Sequence, residues 1–282
     1  QRLIRGLAAT ARLARTQLGV ERVVLRYGDS SPHRCISEDD VANLRALSGD
    51  VFDEVSFTFF DANLGSSGGS NTLAALGDED VIWVVNPDTY PSPPSLPELL
   101  SMLSVAGVGA AEGRQLPIEH PKDYDPNTGA TAWVSGFAVV FRREAFDDVE
   151  GFDPHFFPMY CDDVDISWRL RIAGWSIRHV PRAVIVHDKP ITTGGSVRWS
   201  DDAGRSSHLA RLLLYRRYGR PDLEAAFLAA VDPIEDPIAA EAIAEYRRRV
   251  ELGDVPDALA SADEVSVLPG GDYAPHRFRY IG

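Results

Sequence analysis

Three things are scarce in this sequence, and each scarcity excludes a class of protein. Of 282 residues only two are cysteine, Cys35 and Cys161. Two thiols cannot build a disulfide framework and have no metal-ligand spacing, so a reducing cytoplasm is the default compartment. Basic side chains are also in short supply: 28 Lys and Arg stand against 42 Asp and Glu, leaving a net charge of −14. A chain this acidic is not held on nucleic acid by broad electrostatics, which needs a basic face. Long apolar runs are missing too. None approaches the roughly 20 residues that a membrane span requires, and no signal peptide is visible, so membrane contact is expected to be at most peripheral, at the inner face. What remains is an ordinary globular composition, 44% hydrophobic, sufficient for a large domain or a domain with an extension.

The densest stretch runs from Gly151 to His187, GFDPHFFPMYCDDVDISWRLRIAGWSIRHVPRAVIVH. From Asp162 the pattern turns helical, with Ile166, Leu170 and Ala173 on one face and Gly174 as the stop. Asp162, Asp163 and Asp165 suit a helix N-terminus, where acids cap free N–H groups. One cap would suffice. Three acids beside Phe156, Phe157 and Tyr160 repel one another, a cost more readily understood at a site for a cation or a proton-donating substrate.

This stretch resembles the family 2 inverting glycosyltransferases of the GT-A fold, in their rhamnosyltransferase-like and galactofuranosyltransferase-like branch. The resemblance rests on Gly151-Phe152-Asp153, the pair Phe156-Phe157, the acidic Asp162-Asp163-Val164-Asp165, the Arg171-to-Trp175 turn and His187. Asp162 stands where the family usually has Glu. The resemblance implies an α/β fold with a mixed, mostly parallel central sheet. It also implies a nucleotide-diphospho-sugar donor, a saccharide or lipid-linked saccharide acceptor, and a Mn2+ or Mg2+ cofactor. Asp163 falls at the position of the family's base, with Asp162 its neighbour, and His187 at that of a metal ligand. Tyr160 and Asp165 are assigned to the substrate side, Asp165 also capping the helix.

Earlier in the chain, a helical pattern from Leu3 to Leu18 opens the sequence, and Arg22 to Tyr27 reads as a strand. In the family a strand comes before such a helix and helps hold the nucleotide; here that strand is expected to be absent. Asp29, in the turn that follows, is a shifted candidate for the nucleotide, although turn chemistry alone explains an Asp there. A helix near Ser37–Leu47 and a strand from Glu54 to Phe60 lead to NLGSSGGSN, residues 63–71. Its glycines allow close backbone approach to a ligand, and a helix from Asn71 would offer N–H groups to an anion. Asn63, Gly65 and Asn71 are therefore candidates to face the nucleotide.

Val81 to Val85 is continuously apolar, as expected of a central parallel strand buried on both faces, and Asn86-Pro87-Asp88 follows at its carboxyl edge. By resemblance this is the family's D-x-D motif in an N-P-D form, in which Asp88 binds the metal and Asn86 adds a neutral oxygen. A strand is expected over Ala132–Phe141, with Trp133 and Gly136 beside the donor sugar. Residues 113–130, polar and turn-rich, are expected on the acceptor side.

Residues 1–195 thus read as the glycosyltransferase domain and 196–282 as a helical extension. The arginines of HLARLLLYRRYG, Arg211, Arg216, Arg217 and Arg220, read as a solvated helix face, with contact to an anionic lipid as the minor alternative. The expected activity is metal-dependent, inverting sugar transfer in cell-wall, polysaccharide or glycolipid assembly. An inactive sugar-nucleotide-binding or scaffold protein, and a nucleotidyltransferase, are the competing classes.

Overall fold

The computed structural model describes residues 1–119, 123–189 and 200–268. The chain runs α1 (Arg2–Leu18), β1 (Val24–Asp29), α2 (Glu38–Ser48), β2 (Glu54–Phe59), α3 (Gly65–Ala74), β3 (Val81–Val85), β4 (Thr89–Pro91), α4 (Ser95–Leu103) and β5 (Val108–Leu116). It continues through β6 (Ala138–Arg142), α5 (Arg143–Asp148), α6 (Asp162–Ile172) and β7 (Ser176–His187). The helices α7 (Asp201–Arg217), α8 (Pro221–Ala230), α9 (Pro237–Leu252) and α10 (Ala262–Val265) follow.

Several boundaries come from local chemistry. Ser37 and Asp40 form a reciprocal capping box at the start of α2. Gly19, left-handed at φ 66°, ends α1. Prolines occupy the first turns of α8 and α9, where their missing N–H costs nothing.

The strands form two sheets. β1 and β2 pair in parallel, and a larger mixed sheet has the order β3-β6-β5-β7-β4. In the larger sheet only β5 and β7 are parallel partners; β6 and β4 run against their neighbours. The apolar run Val81–Val85 is therefore not the central, doubly buried strand that its composition predicts. Among the described residues it is an edge strand, half-buried along its length and bonded only to β6. Its other edge and that of β1 line one cleft of ≈ 400 Å³, floored by Leu3, Ile4 and Leu7 of α1 on one side and Gly69, Leu73 and Ala74 of α3 on the other.

Helix α1 brackets the two sheets. Ala8 and Ala11 pack on Val51 beside the smaller one, while Ala14 lies with Leu96, Leu99 and Val108 in the core of the larger. A two-point ion pair from Arg26 in β1 to Glu79, just before β3, closes one end of the cleft, with N–O distances of 2.9 and 2.8 Å.

The helices after residue 200 share a core with α6. Trp133, Phe157, Val164 and Trp168 are packed with Leu212, Leu213, Tyr218 and Tyr246.

Candidate active site

The site is built around the loop into α6. Tyr160 (φ 65°) and Cys161 (φ 56°) are consecutive left-handed residues without being glycine. Such conformations cost of order 1–3 kcal/mol each and persist where surrounding structure imposes them. Cys161 is also the N-cap of α6, so this kink decides where the following acids point.

The three acids diverge. Asp162 is half-buried, and its Oδ2 accepts from the Ser66 hydroxyl at 2.8 Å and the Ser67 hydroxyl at 3.3 Å, both on α3. Burial, with the neighbouring Asp163 charge adding to it, pushes the Asp162 carboxyl up to about 7. Asp163 turns the other way: Oδ2 accepts from the Gly136 N–H at 3.1 Å and Oδ1 from its own helix at Val164. Successive helical residues point about 100° apart, and the two carboxylates face different walls accordingly.

Asp165 is fully buried. Its oxygens receive Arg169 Nε at 2.7 Å, Arg217 Nη1 at 3.0 Å and the Tyr218 hydroxyl at 3.2 Å. The geometry gives it an anchoring place in the core instead of a contact with substrate.

At the carboxyl end of β3, Asn86 donates its N–H to the Phe137 carbonyl at 2.8 Å and accepts from Thr89, making the turn that starts β4. The β4–β7 pairing sets Thr89 opposite His187 and so brings Asp88 and His187 together, Oδ1 to Nε2 3.2 Å. Asp88 keeps 48% of its side chain exposed, whereas His187 is buried and stacked on Phe137 with ring centres 5.4 Å apart. Burial is the largest influence and works against the Asp88 charge, but the His187 hydrogen bond and charge, with smaller help from the Asp88 backbone and Lys189, together outweigh it and hold the carboxyl below its usual value. The carboxylate suits Mn2+ or Mg2+, and a neutral imidazole is a common ligand for transition-metal ions. No cluster of three or more His, Cys, Asp or Glu ligands occurs among the described residues, so this pair could hold a divalent ion only together with oxygens from a ligand or water.

The glycine-rich segment differs from expectation. Gly65 to Ala74 is already helix, not a loop before one. Glycine is a poor helix former, and here close packing overrides that propensity. A Cβ on Gly65, at φ 66°, would lie 2.3 Å from the Pro158 carbonyl oxygen. Asn63 accepts from the Gly65 N–H at 3.1 Å. Asn71 faces the interior: its amide donates to the Phe152 carbonyl and accepts from the Phe152 N–H, at 2.8 and 3.0 Å, so it fastens the Gly151-Phe152 turn and does not present itself to a nucleotide.

Asp29 likewise serves its turn. Its two oxygens accept from the Ser31 and Cys35 N–H groups at 2.9 and 3.0 Å, and hydrogen bonds from Ser31 first, then Cys35, hold its carboxyl low.

The strand expected over Ala132–Phe141 is shorter, Ala138–Arg142, which leaves Gly136 in a loop against Asp163. Trp133 is 1% exposed within the core shared with the C-terminal helices, so it supports this loop from beneath and offers no face to a sugar. Residues 190–199 and 269–282, the connection before α7 and the chain end, lie outside the described residues.

Arg217 departs furthest from its expected place. Instead of lying on a solvated helix face it is 8% exposed, with Nη1 on Asp165 and Nη2 on Asp153 at 2.6 Å. Its partners are 52 and 64 residues away, so no local pattern announces them. Ser66 and Ser67 are equally hidden in the sequence, inside a segment whose glycines dominate its pattern.

Comparison with known proteins agrees with this architecture. Residues 123–200 match the family model described as glycosyltransferase-like family 2. An N-acetylglucosaminyl-diphospho-decaprenol L-rhamnosyltransferase of Mycobacterium tuberculosis is 31% identical over 168 residues, 55% of this chain and 54% of that protein. Rhamnosyltransferase WbbL of Escherichia coli K12 is 34% identical over 67 residues, 24% of this chain and 25% of WbbL. The chain thus spans about half the length of the mycobacterial relative. Among solved structures, residues 1–349 of S. aureus TarS in complex with UDP-GlcNAc superpose with a TM-score of 0.54 at 13% identity, covering 90% of this chain and 77% of that one. The fold is the GT-A fold of glycosyltransferases. The segment similar to glycosyltransferase-like family 2 is the one that carries the acids of α6 and His187.

Proposed function

We propose that this protein transfers a sugar from a nucleotide-diphospho-sugar to an acceptor hydroxyl, with inversion at the anomeric carbon and with help from a divalent ion. The observation that carries the reading is that two adjacent residues, Gly136 on Asp163 and Phe137 on His187, link two unlike carboxylate settings. Exposed Asp88 is paired with His187 at the carboxyl edge of β3, and Asp162 and Asp163 stand at the start of α6 beside Gly136.

In this reading Asp163 takes the proton of the acceptor hydroxyl as its oxygen bonds to the anomeric carbon. The bond from that carbon to the donor diphosphate breaks on the opposite face, which inverts the centre. The Gly136 N–H fixes one Asp163 oxygen, so the orientation of the base is set before substrate arrives. A Mn2+ or Mg2+ ion held by Asp88 and His187 would neutralise charge on the departing nucleoside diphosphate. Asp162, bonded to two α3 serines, ties the acid pair to the donor-side helix.

The reading takes a hexose or deoxyhexose donor and a saccharide or lipid-linked saccharide acceptor, supported by the names of the similar proteins: the mycobacterial protein is named for rhamnosyl transfer to a lipid-diphosphate sugar, and the TarS structure contains UDP-GlcNAc. Cell-wall, polysaccharide or glycolipid assembly is the corresponding setting, with a lipid-linked acceptor met peripherally at the inner face of the membrane. No helix among the described residues is long and apolar enough to cross a membrane.

A panel of nucleotide sugars, read by thermal shift with and without Mn2+ and then by product formation, tests the reading. One donor should stabilise the protein in a Mn2+-dependent way and be consumed with acceptor. In that assay Asp163→Asn should lower turnover about 10²- to 10⁴-fold with donor affinity kept, the usual cost of losing a positioned base. Near-normal turnover in this variant would place the base elsewhere, and donor binding without transfer across all acceptors would favour an inactive sugar-nucleotide-binding protein.

A further inference from the structure

The loop that aims Asp162 and Asp163 is held from two sides. On the donor side, α3 grips its middle: the Ser67 hydroxyl donates to the Phe157 carbonyl at 2.5 Å and the Ser67 N–H to the Pro158 carbonyl at 3.3 Å. On the other side two side chains meet it: Asp254, after α9, whose Oδ1 lies 2.7 Å from His155 Nε2, and Arg217, at the last residue of α7, which makes the more extensive contact. One guanidinium nitrogen reaches Asp153, two residues after the Gly151 turn, and another reaches Asp165, in the first turn of α6. The same guanidinium lies 5.2 and 5.1 Å from the ring centres of Phe156 and Phe157.

The rest of each carboxylate is also committed. Asp153 Oδ1 accepts from the His155 and Phe156 N–H groups, and Asp165 Oδ2 accepts from Arg169. Both ends of residues 153–165 and the aromatic pair between them therefore converge on one cation. Within that span sit Tyr160 and Cys161, whose left-handed backbone needs exterior constraint. A planar, forked guanidinium can bridge two carboxylates and stack on rings at once, which an ammonium cannot.

We infer that Arg217 is a positioning residue for sugar transfer: from the C-terminal helical region it fixes the 153–161 loop and thereby the placement of Asp162 and Asp163. The inference rests on the proposed transferase reading, but one of its tests does not. An ordinary role for such an ion pair is to dock α7, and that role would loosen α7 to α9 together with the loop.

The experiment uses Arg217→Lys and Asp153→Asn, with Arg217→Gln as the more severe variant. Asp153→Asn leaves the Arg217–Asp165 pair intact, so the chain keeps a compensated buried charge and a readable fold. By amide hydrogen exchange, both milder variants should speed exchange at residues 155–163 by about tenfold or more while α7 and α9 keep wild-type protection. In steady-state transfer, kcat should fall about tenfold or more at a temperature where the variants are fully folded, with donor KM unchanged; these sizes follow typical losses from displaced catalytic groups. Wild-type exchange in the loop for both variants overturns the inference, as does equal loosening of the loop and α7–α9. Wild-type kcat together with a loosened loop also overturns it. If the parent protein transfers no sugar at all, the transferase reading fails, and the exchange pattern alone still decides whether Arg217 fixes this loop.

Discussion

Replacing Asp162 by Asn should change stability in a pH-dependent way that can be calculated before the experiment. In the folded chain burial and the Asp163 charge raise this carboxyl from 3.8 to about 7. As pH climbs above the unfolded value, the unfolded chain loses the proton first and the folded chain retains it, so stability falls across this window and levels off above about pH 7. At about 1.36 kcal/mol per pH unit, the whole interval from 3.8 to about 7 amounts to on the order of 4 kcal/mol, an upper bound because the two neighbouring carboxyls share their titration. Asn keeps an oxygen for the Ser66 and Ser67 hydroxyls and has no charge to bury. Relative to the parent, Asp162→Asn should therefore gain about 3 kcal/mol between pH 5 and pH 8, the part of the window that lies above pH 5. Urea unfolding followed by tryptophan fluorescence at both pH values, at one ionic strength and without divalent ions, reads the difference directly. A parent-to-variant difference that is the same at pH 5 and pH 8, or one that shrinks as pH rises, would refute the placement of Asp162 as a half-buried acid beside a second charge.

Two further outcomes follow from positions already described. Asp88→Ala and His187→Ala should each weaken Mn2+-dependent donor binding by about tenfold or more, the usual range for lost metal-site partners, with calorimetric titration as the measure; unchanged Mn2+ dependence in both removes the pair as ligands. Gly65→Ala should destabilise the chain by about 3 kcal/mol, because the added methyl meets the Pro158 carbonyl, whereas Gly19→Ala, also left-handed but with open space around it, should cost only about 1 kcal/mol; equal losses in thermal unfolding would dismiss the clash.

Local features are readable in the sequence, and reciprocal ones are hidden. Helix α6 and its acids follow from the spacing of Ile166 and Leu170 and from the Gly174 stop, and α2 follows from Ser37 with Asp40 three residues on. Each signal lies within one or two turns of its effect. The assignments that shift depend on partners far away in the chain. Asn71 stands beside glycines, which suggests a ligand loop, yet its partner is Phe152, 81 residues on. Trp133 is expected beside the donor sugar, yet it is buried in the core that contains Trp168 and Tyr218. The apolarity of Val81–Val85 predicts burial on two faces, but apolarity carries no information about which neighbours pair with the strand, and among the described residues only β6 does. The short β4 gives no period to detect, although its register with β7 is what unites Asp88 and His187.

The cleft between the two sheets has a mechanical consequence. Among the described residues no ladder bond joins β1–β2 to the larger sheet, so the molecule is a small leaf clasped to a large block by α1, the Arg26–Glu79 pair and α3. Loads on such a leaf pass through side chains and not through a continuous backbone ladder, which places it at the compliant end of the structure. A ligand long enough to touch the turn after β1 and the end of β3 at once would act as a cross-brace. Part of its binding free energy would go into stiffening the leaf, so a firmer hold at one end would tighten its grip at the other.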